Sequence, residues 1–125
     1  MKWHMEKKTV NILGTEYKIE KKAYKDEPVF EKKRIDGYCD SFQKLIVFCD
    51  LDTFDRWDDE SDMTKRECEK EILRHEITHA FLTESGLADS SNPTDGAWAK
   101  NEEMVDWFAI QSSKIFKVFQ ELDVL

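Results

Sequence analysis

The sequence predicts an α+β fold, with antiparallel β hairpins in the N-terminal half followed by two long helices. Three observations predict it. Apolar residues alternate with polar ones early in the chain and recur at helical spacing later. Turn residues punctuate the first half at hairpin distances. His75-Glu76-Ile77-Thr78-His79 places two histidines four residues apart inside the first helical stretch.

Val10, Ile12, Tyr17 and Ile19 alternate with polar residues, and Gly14-Thr15 between them suits a tight hairpin turn. A charged link containing Pro28 follows. Gly37-Tyr38-Cys39 and Lys44-Leu45-Ile46-Val47-Phe48 then flank Asp40-Ser41-Phe42-Gln43 as a second hairpin. The stretch from Asp50 to Asp62 is rich in acid, yet it has no glycine where a calcium loop turns. It reads as a solvated loop or short helical turn, pinned to the core by Phe54 and Trp57.

Thr64-Lys65-Arg66-Glu67 is a capping box that opens a helix from about Thr64 to Ser85, with Gly86 at its C-cap. The helical period puts Leu73, Ile77, Ala80 and Phe81 on one side and Ile72, His75, Glu76 and His79 on an adjacent one. Leu87 to Ala99 is a loop with turn signals at Asn92-Pro93 and Asp95-Gly96. A second helix runs from about Asn101 to near Glu121. It is apolar on more than one side, as for a helix packed on both the first helix and the sheet.

With 125 residues, 40% of them hydrophobic, the chain is read as one domain, 1–125, able to bury a core. The first residues lack a signal-peptide core, and no run reaches the length of a membrane span. Cys39, Cys49 and Cys68 are odd in number and lack C-x-x-C spacing, so they read as reduced thiols and the protein as cytoplasmic. The net charge is −8, unevenly spread: residues 1–44 carry 11 basic and 8 acidic side chains, residues 45–125 carry 8 and 19. An acidic second half favours a divalent cation and disfavours nucleic acid.

Histidines at i and i+4 stand about 40° apart around a helix, so both imidazoles can reach one metal ion. Glu76 can lean over the same ion and take a proton from its water, the H-E-x-x-H arrangement of metal hydrolases, with zinc the usual ion. Catalytic zinc needs a third protein ligand. The remaining histidine, His4, is remote and none follows Gly86, so that ligand is an acid or Cys68. Cys68 lies two turns before His75 on the same helix, too far along the axis.

Asn101-Glu102-Glu103-Met104-Val105-Asp106-Trp107-Phe108-Ala109 resembles the ligand helix of the gluzincins, which follow H-E-x-x-H with N-E-x-x-x-D or E-x-x-x-[DN]-x-F. The small size, the hairpins and the Phe-Ala after the acid look most like the ImmA/IrrE-type peptidase domains of phages and mobile elements. The resemblance spans about Gly37 to Gln111 and implies a small zincin-like domain. It implies His75, His79 and Glu102 as ligands of one Zn2+, Asp106 as acceptor for a ligating histidine, and Glu76 as general base. The implied activity is hydrolysis of a peptide or protein substrate lying extended on an edge strand, Lys44–Phe48. No counterpart exists for the histidine or tyrosine that stabilises the oxyanion in large gluzincins; Tyr38 is a candidate donor, with simple packing as its alternative.

Helical geometry separates Glu102 from its neighbour. Glu102 and Glu103 point about 100° apart, and only Glu102 shares a side with Asp106 and Ala109. Two other readings remain open: a non-catalytic, phage-encoded regulatory module in which zinc joins the two helices and the surface serves a protein partner, and a metal-free helical protein.

Overall fold

The computed structural model describes residues 3–88 and 97–125. Their secondary structure is the α+β arrangement read from the sequence, built on a four-stranded sheet. β1 (Lys7–Ile12) and β2 (Thr15–Ala23) form the first hairpin, paired from Lys7 opposite Glu20 to Ile12 opposite Thr15. The turn residues are Leu13 and Gly14, one position earlier than expected. Their φ angles, 50° and 93°, are the two positive values that a two-residue type I′ turn requires. Asn11 Oδ1 accepts from the Gly14 N–H at 2.8 Å and helps hold a leucine in this unfavoured conformation.

β3 (Gly37–Asp40) and β4 (Leu45–Asp50) form the second hairpin. Asp40 closes its turn, accepting from the Phe42 and Gln43 N–H groups at 3.0 Å each. The two hairpins meet through parallel pairing of β2 with β4, so the sheet is mixed, in the order β1-β2-β4-β3. Alternation fixes which face a residue takes, not which strand lies beside it. The apolar run from Ile46 to Cys49 did hold the information, because a strand buried on both faces reads as continuously hydrophobic. All four residues are fully buried. β4 is therefore interior, and the expectation that Lys44–Phe48 is an edge strand is corrected: the edges are β1 and β3.

The link containing Pro28 folds as a short helix, α1 (Pro28–Lys33), rather than staying irregular. Proline at the first helical position costs no hydrogen bond, Glu27 caps the Val29 N–H, and Arg34 ends the helix in the left-handed region. Phe30 buries against Val47, Cys49 and Leu51 on one face of the sheet. The acidic stretch forms two 3-10 turns, Leu51–Thr53 and Asp55–Trp57. Phe54 stacks on Tyr24 with ring centroids 4.0 Å apart, and Trp57 packs into the same cluster.

α2 (Asp62–Glu84) covers the opposite face, where Leu73 and Ala80 join Tyr17, Ile19, Ile46 and Phe48. Phe81, expected on the packed side, is 42% exposed. The helix starts before the expected Thr64 because Ser61 is the better-placed cap: its Oγ accepts from the Thr64 N–H at 3.1 Å. Glu67 pairs with Lys70 instead of closing a capping box. Gly86, at φ 86°, ends the helix by donating to Thr83 O.

One buried ionic network ties α2 to the sheet. Glu69, with no exposed surface, accepts from Lys21 Nζ at 3.1 Å, the Leu51 N–H at 2.9 Å and Arg66 Nη2 at 3.2 Å. Arg66 also grips Asp52 with two bonds of 3.0 Å, and that guanidinium holds the Asp52 carboxyl down at about 2. Such a network fixes register; losing one partner strands the others without water.

α3 (Glu102–Glu121) is capped by Asn101, whose Oδ1 accepts from the Met104 N–H at 2.8 Å. It buries Val105, Ala109 and Ser112, and Arg74 Nε of α2 donates to Ala109 O at 2.6 Å. Contrary to expectation, α3 packs along α2 and not on the sheet. Its second apolar side faces outward. The turn signals Asn92-Pro93 and Asp95-Gly96 lie outside the described residues.

Candidate metal centre

α2 projects His75, Glu76 and His79 towards β3 and α3. Their donor atoms all lie within 4.8 Å of one another. His75 Nε2 and His79 Nε2 are 3.1 Å apart. The first turn of α3 delivers Glu102 against both, Oε2 to His75 Nε2 at 3.1 Å and Oε1 to His79 Nε2 at 3.0 Å. Around an ion with bonds of 2.0–2.1 Å, tetrahedral ligands are separated by about 3.3 Å. The His75–His79 separation is close to such an edge, and Glu102 brings one carboxylate oxygen to each ring. Glu103 is exposed and makes no contact with the imidazoles.

Asp106, one turn after Glu102, sits 2.8 Å from His75 Nδ1. A carboxylate there accepts a hydrogen bond from Nδ1–H, the tautomer whose Nε2 lone pair faces His79 and Glu102. Burial, the largest influence on His79, favours its neutral ring, and the nearby His75 adds to this while Glu102 opposes it. Both imidazoles are therefore arranged as lone-pair donors. The donor set of two nitrogens and a carboxylate oxygen suits zinc.

Glu76 is placed differently from the other three. Its side chain is buried between α2 and β3, and its Oε2 has no hydrogen-bond partner among the described residues. Burial, then the charges of Glu102, Asp36 and Asp106, push its carboxyl up to about 8. Its other oxygen, Oε1, lies 3.8 Å from His75 Nε2.

Gly37 makes this approach possible. A Cβ there would meet Ile72 Cγ2 at 2.7 Å, Val47 O at 3.2 Å and Glu76 Cγ at 3.5 Å. Ile72 is β-branched and stiff, so it cannot swing aside. Gly37→Ala is expected to destabilise the fold by about 1–3 kcal/mol through overpacking. Urea denaturation reads this, and an unchanged midpoint would show that β3 and α2 have slack.

Two clefts meet at Gly37, His75 and Glu76. One, of about 580 Å³, runs under the start of β3 to an aromatic floor of Tyr24, Phe30, Phe54 and Trp57. The other, of about 600 Å³, continues past His79 towards Leu82, Ala99 and Lys100. Together they form a groove beside the exposed edge of β3.

Tyr38 does not supply an oxyanion donor. Strand alternation turns it to the α1 side of the sheet, where its hydroxyl donates to Glu27 Oε2 at 2.9 Å. Sequence reasoning missed Gly37 as the contact point and Asp36 beside it. Asp36, its carboxyl raised by burial, faces His75 and Arg56. Asp-Gly before a strand reads only as a turn, so nothing local announced either role. Comparison with family models, curated proteins and solved structures found no match.

Proposed function

We propose that this chain is a zinc-dependent metallopeptidase of the small gluzincin kind, similar to ImmA/IrrE-type domains and acting in the cytoplasm. One observation carries the reading: two imidazole nitrogens and the Glu102 carboxylate converge at ligand spacing, beside a buried glutamate with an unengaged oxygen. His75, His79 and Glu102 would hold one Zn2+, with Asp106 orienting His75. Bound zinc would supply Lewis acidity, making a water more acidic and drawing charge from a carbonyl. Glu76 Oε2 accepts the proton of the attacking water and returns it to the leaving nitrogen. The substrate strand adds to the outer edge of β3, which presents unpaired backbone groups alongside the groove.

The reading of a zinc-stabilised interaction module needs the ligands but has no use for Glu76. An unpartnered buried carboxylate is costly to keep, and a general base accounts for it. Free Cys39, Cys49 and Cys68 agree with a reducing compartment. Among the described residues no helix is long and apolar enough to cross a membrane.

The test is elemental analysis of purified protein together with turnover of an unfolded protein substrate. Metal stoichiometry near zero after zinc is offered would remove the proposal. Chelation is also expected to lower the melting temperature, because the ligands bridge α2 and α3. Linkage gives about 2.7 kcal/mol at free zinc one hundred times its dissociation constant. Calorimetry of a verified apo sample checks this; an unchanged melting temperature would contradict a site that spans two helices.

A further inference from the structure

Beyond Ser112 the residues of α3 are exposed except for partly covered Ile115, yet Ile115, Phe116, Val118 and Phe119 among them are apolar. Phe119 is 39% exposed, Val118 49% and Leu122 67%. Phe108, Gln111, Ile115, Val118 and Leu122 follow the alternating spacing of three and four residues that marks a two-helix seam. Lys114 and Glu121 lie seven residues apart, at the same flanking position of that seam. Both are exposed, and among the described residues neither enters an ion pair.

These charges discriminate between arrangements. A parallel pair would set Lys114 beside Phe119 of the second copy, with no charge to meet. An antiparallel pair sets each lysine against the other copy's glutamate, twice by symmetry. The segment 113–125 carries two lysines and two acids, so it is electrically neutral in a chain of net charge −8. It is a place where two copies of an acidic protein can approach without repulsion.

We propose that this face of α3 is a homodimer interface, an antiparallel helix pair with Ile115 layered on Val118 of the second copy and Lys114 opposite its Glu121. The interface lies on the helix that carries Glu102 and Asp106 but does not depend on metal binding or catalysis.

Sedimentation velocity of the full chain over a range of concentrations tests it. The parent is expected to be a dimer, and Val118→Glu a monomer with unchanged helical content by circular dichroism. Lys114→Glu and Glu121→Lys, both at exposed positions, should each weaken dimerisation about tenfold or more through like-charge contacts. The double variant should restore it. A parent that stays monomeric throughout, or a double variant no tighter than the single ones, overturns the proposal; a face meant for a different partner gives the first result.

Discussion

Glu76→Gln is expected to cut peptide hydrolysis by ~10²–10⁴-fold while zinc content stays at the parent level. Glutamine keeps the shape that fits under Gly37 but cannot take a proton from water. Burial and the charges of Glu102, Asp36 and Asp106 push the Glu76 carboxyl up to about 8, so an uncharged amide in its place does not weaken the fold on that account. Turnover of an unfolded protein substrate, with metal measured on the same preparation, separates the outcomes. Parent-like cleavage would mean that Glu76 is not the base. Loss of zinc along with activity would mean that Glu76 supports the ligands. A non-catalytic module predicts no cleavage by either protein.

The helical half of the chain was legible because its signals are local. His75 and His79 reach each other through i, i+4 spacing alone, and Asn101 announces α3 by capping its first turn. Glu102 and Asp106 follow from the same period once one of them faces the histidines. The non-local features were not legible. Parallel pairing of β2 with β4 joins residues 27 positions apart, as Lys18 with Leu45, and no turn between them declares it. The expectation of an edge strand at Lys44–Phe48 fails for that reason, and with it the expected placement of an extended peptide there.

The turn of Tyr38 away from the imidazoles follows from the same sheet. Gly37 and Tyr38 are adjacent in sequence and take opposite faces; once Gly37 contacts α2, Tyr38 must face α1. Sequence alone left Tyr38 open as donor or as simple packing because its face had not been assigned. The apolar excess on α3 was legible as composition, but its cause was not. A helix apolar on two sides can meet a sheet or another chain, and only the path of α3 along α2 and off the sheet separates the two.

Glu102→Ala is expected to weaken zinc binding by more than about a hundredfold, whereas Glu103→Ala should leave it nearly intact. Losing an outer partner of a ligand already costs 10–100-fold in many sites, and the proposal makes Glu102 a ligand. Both of its carboxylate oxygens face imidazole nitrogens, at 3.0 and 3.1 Å. Glu103 is one residue on and about 100° around the helix, exposed and away from both rings. If the two glutamates acted only through the dipole of α3, each substitution would cost a few tenths of a kcal/mol in stability and neither would change zinc affinity. Competition titration against a chromophoric chelator gives the affinities, and Asp106→Asn in the same series tests whether orienting His75 matters less than the ligand itself. Equal losses for the two alanine variants would leave electrostatic attraction in place of ligation. A larger loss for Glu103 would turn α3 by about a quarter of a revolution and take Asp106 away from His75.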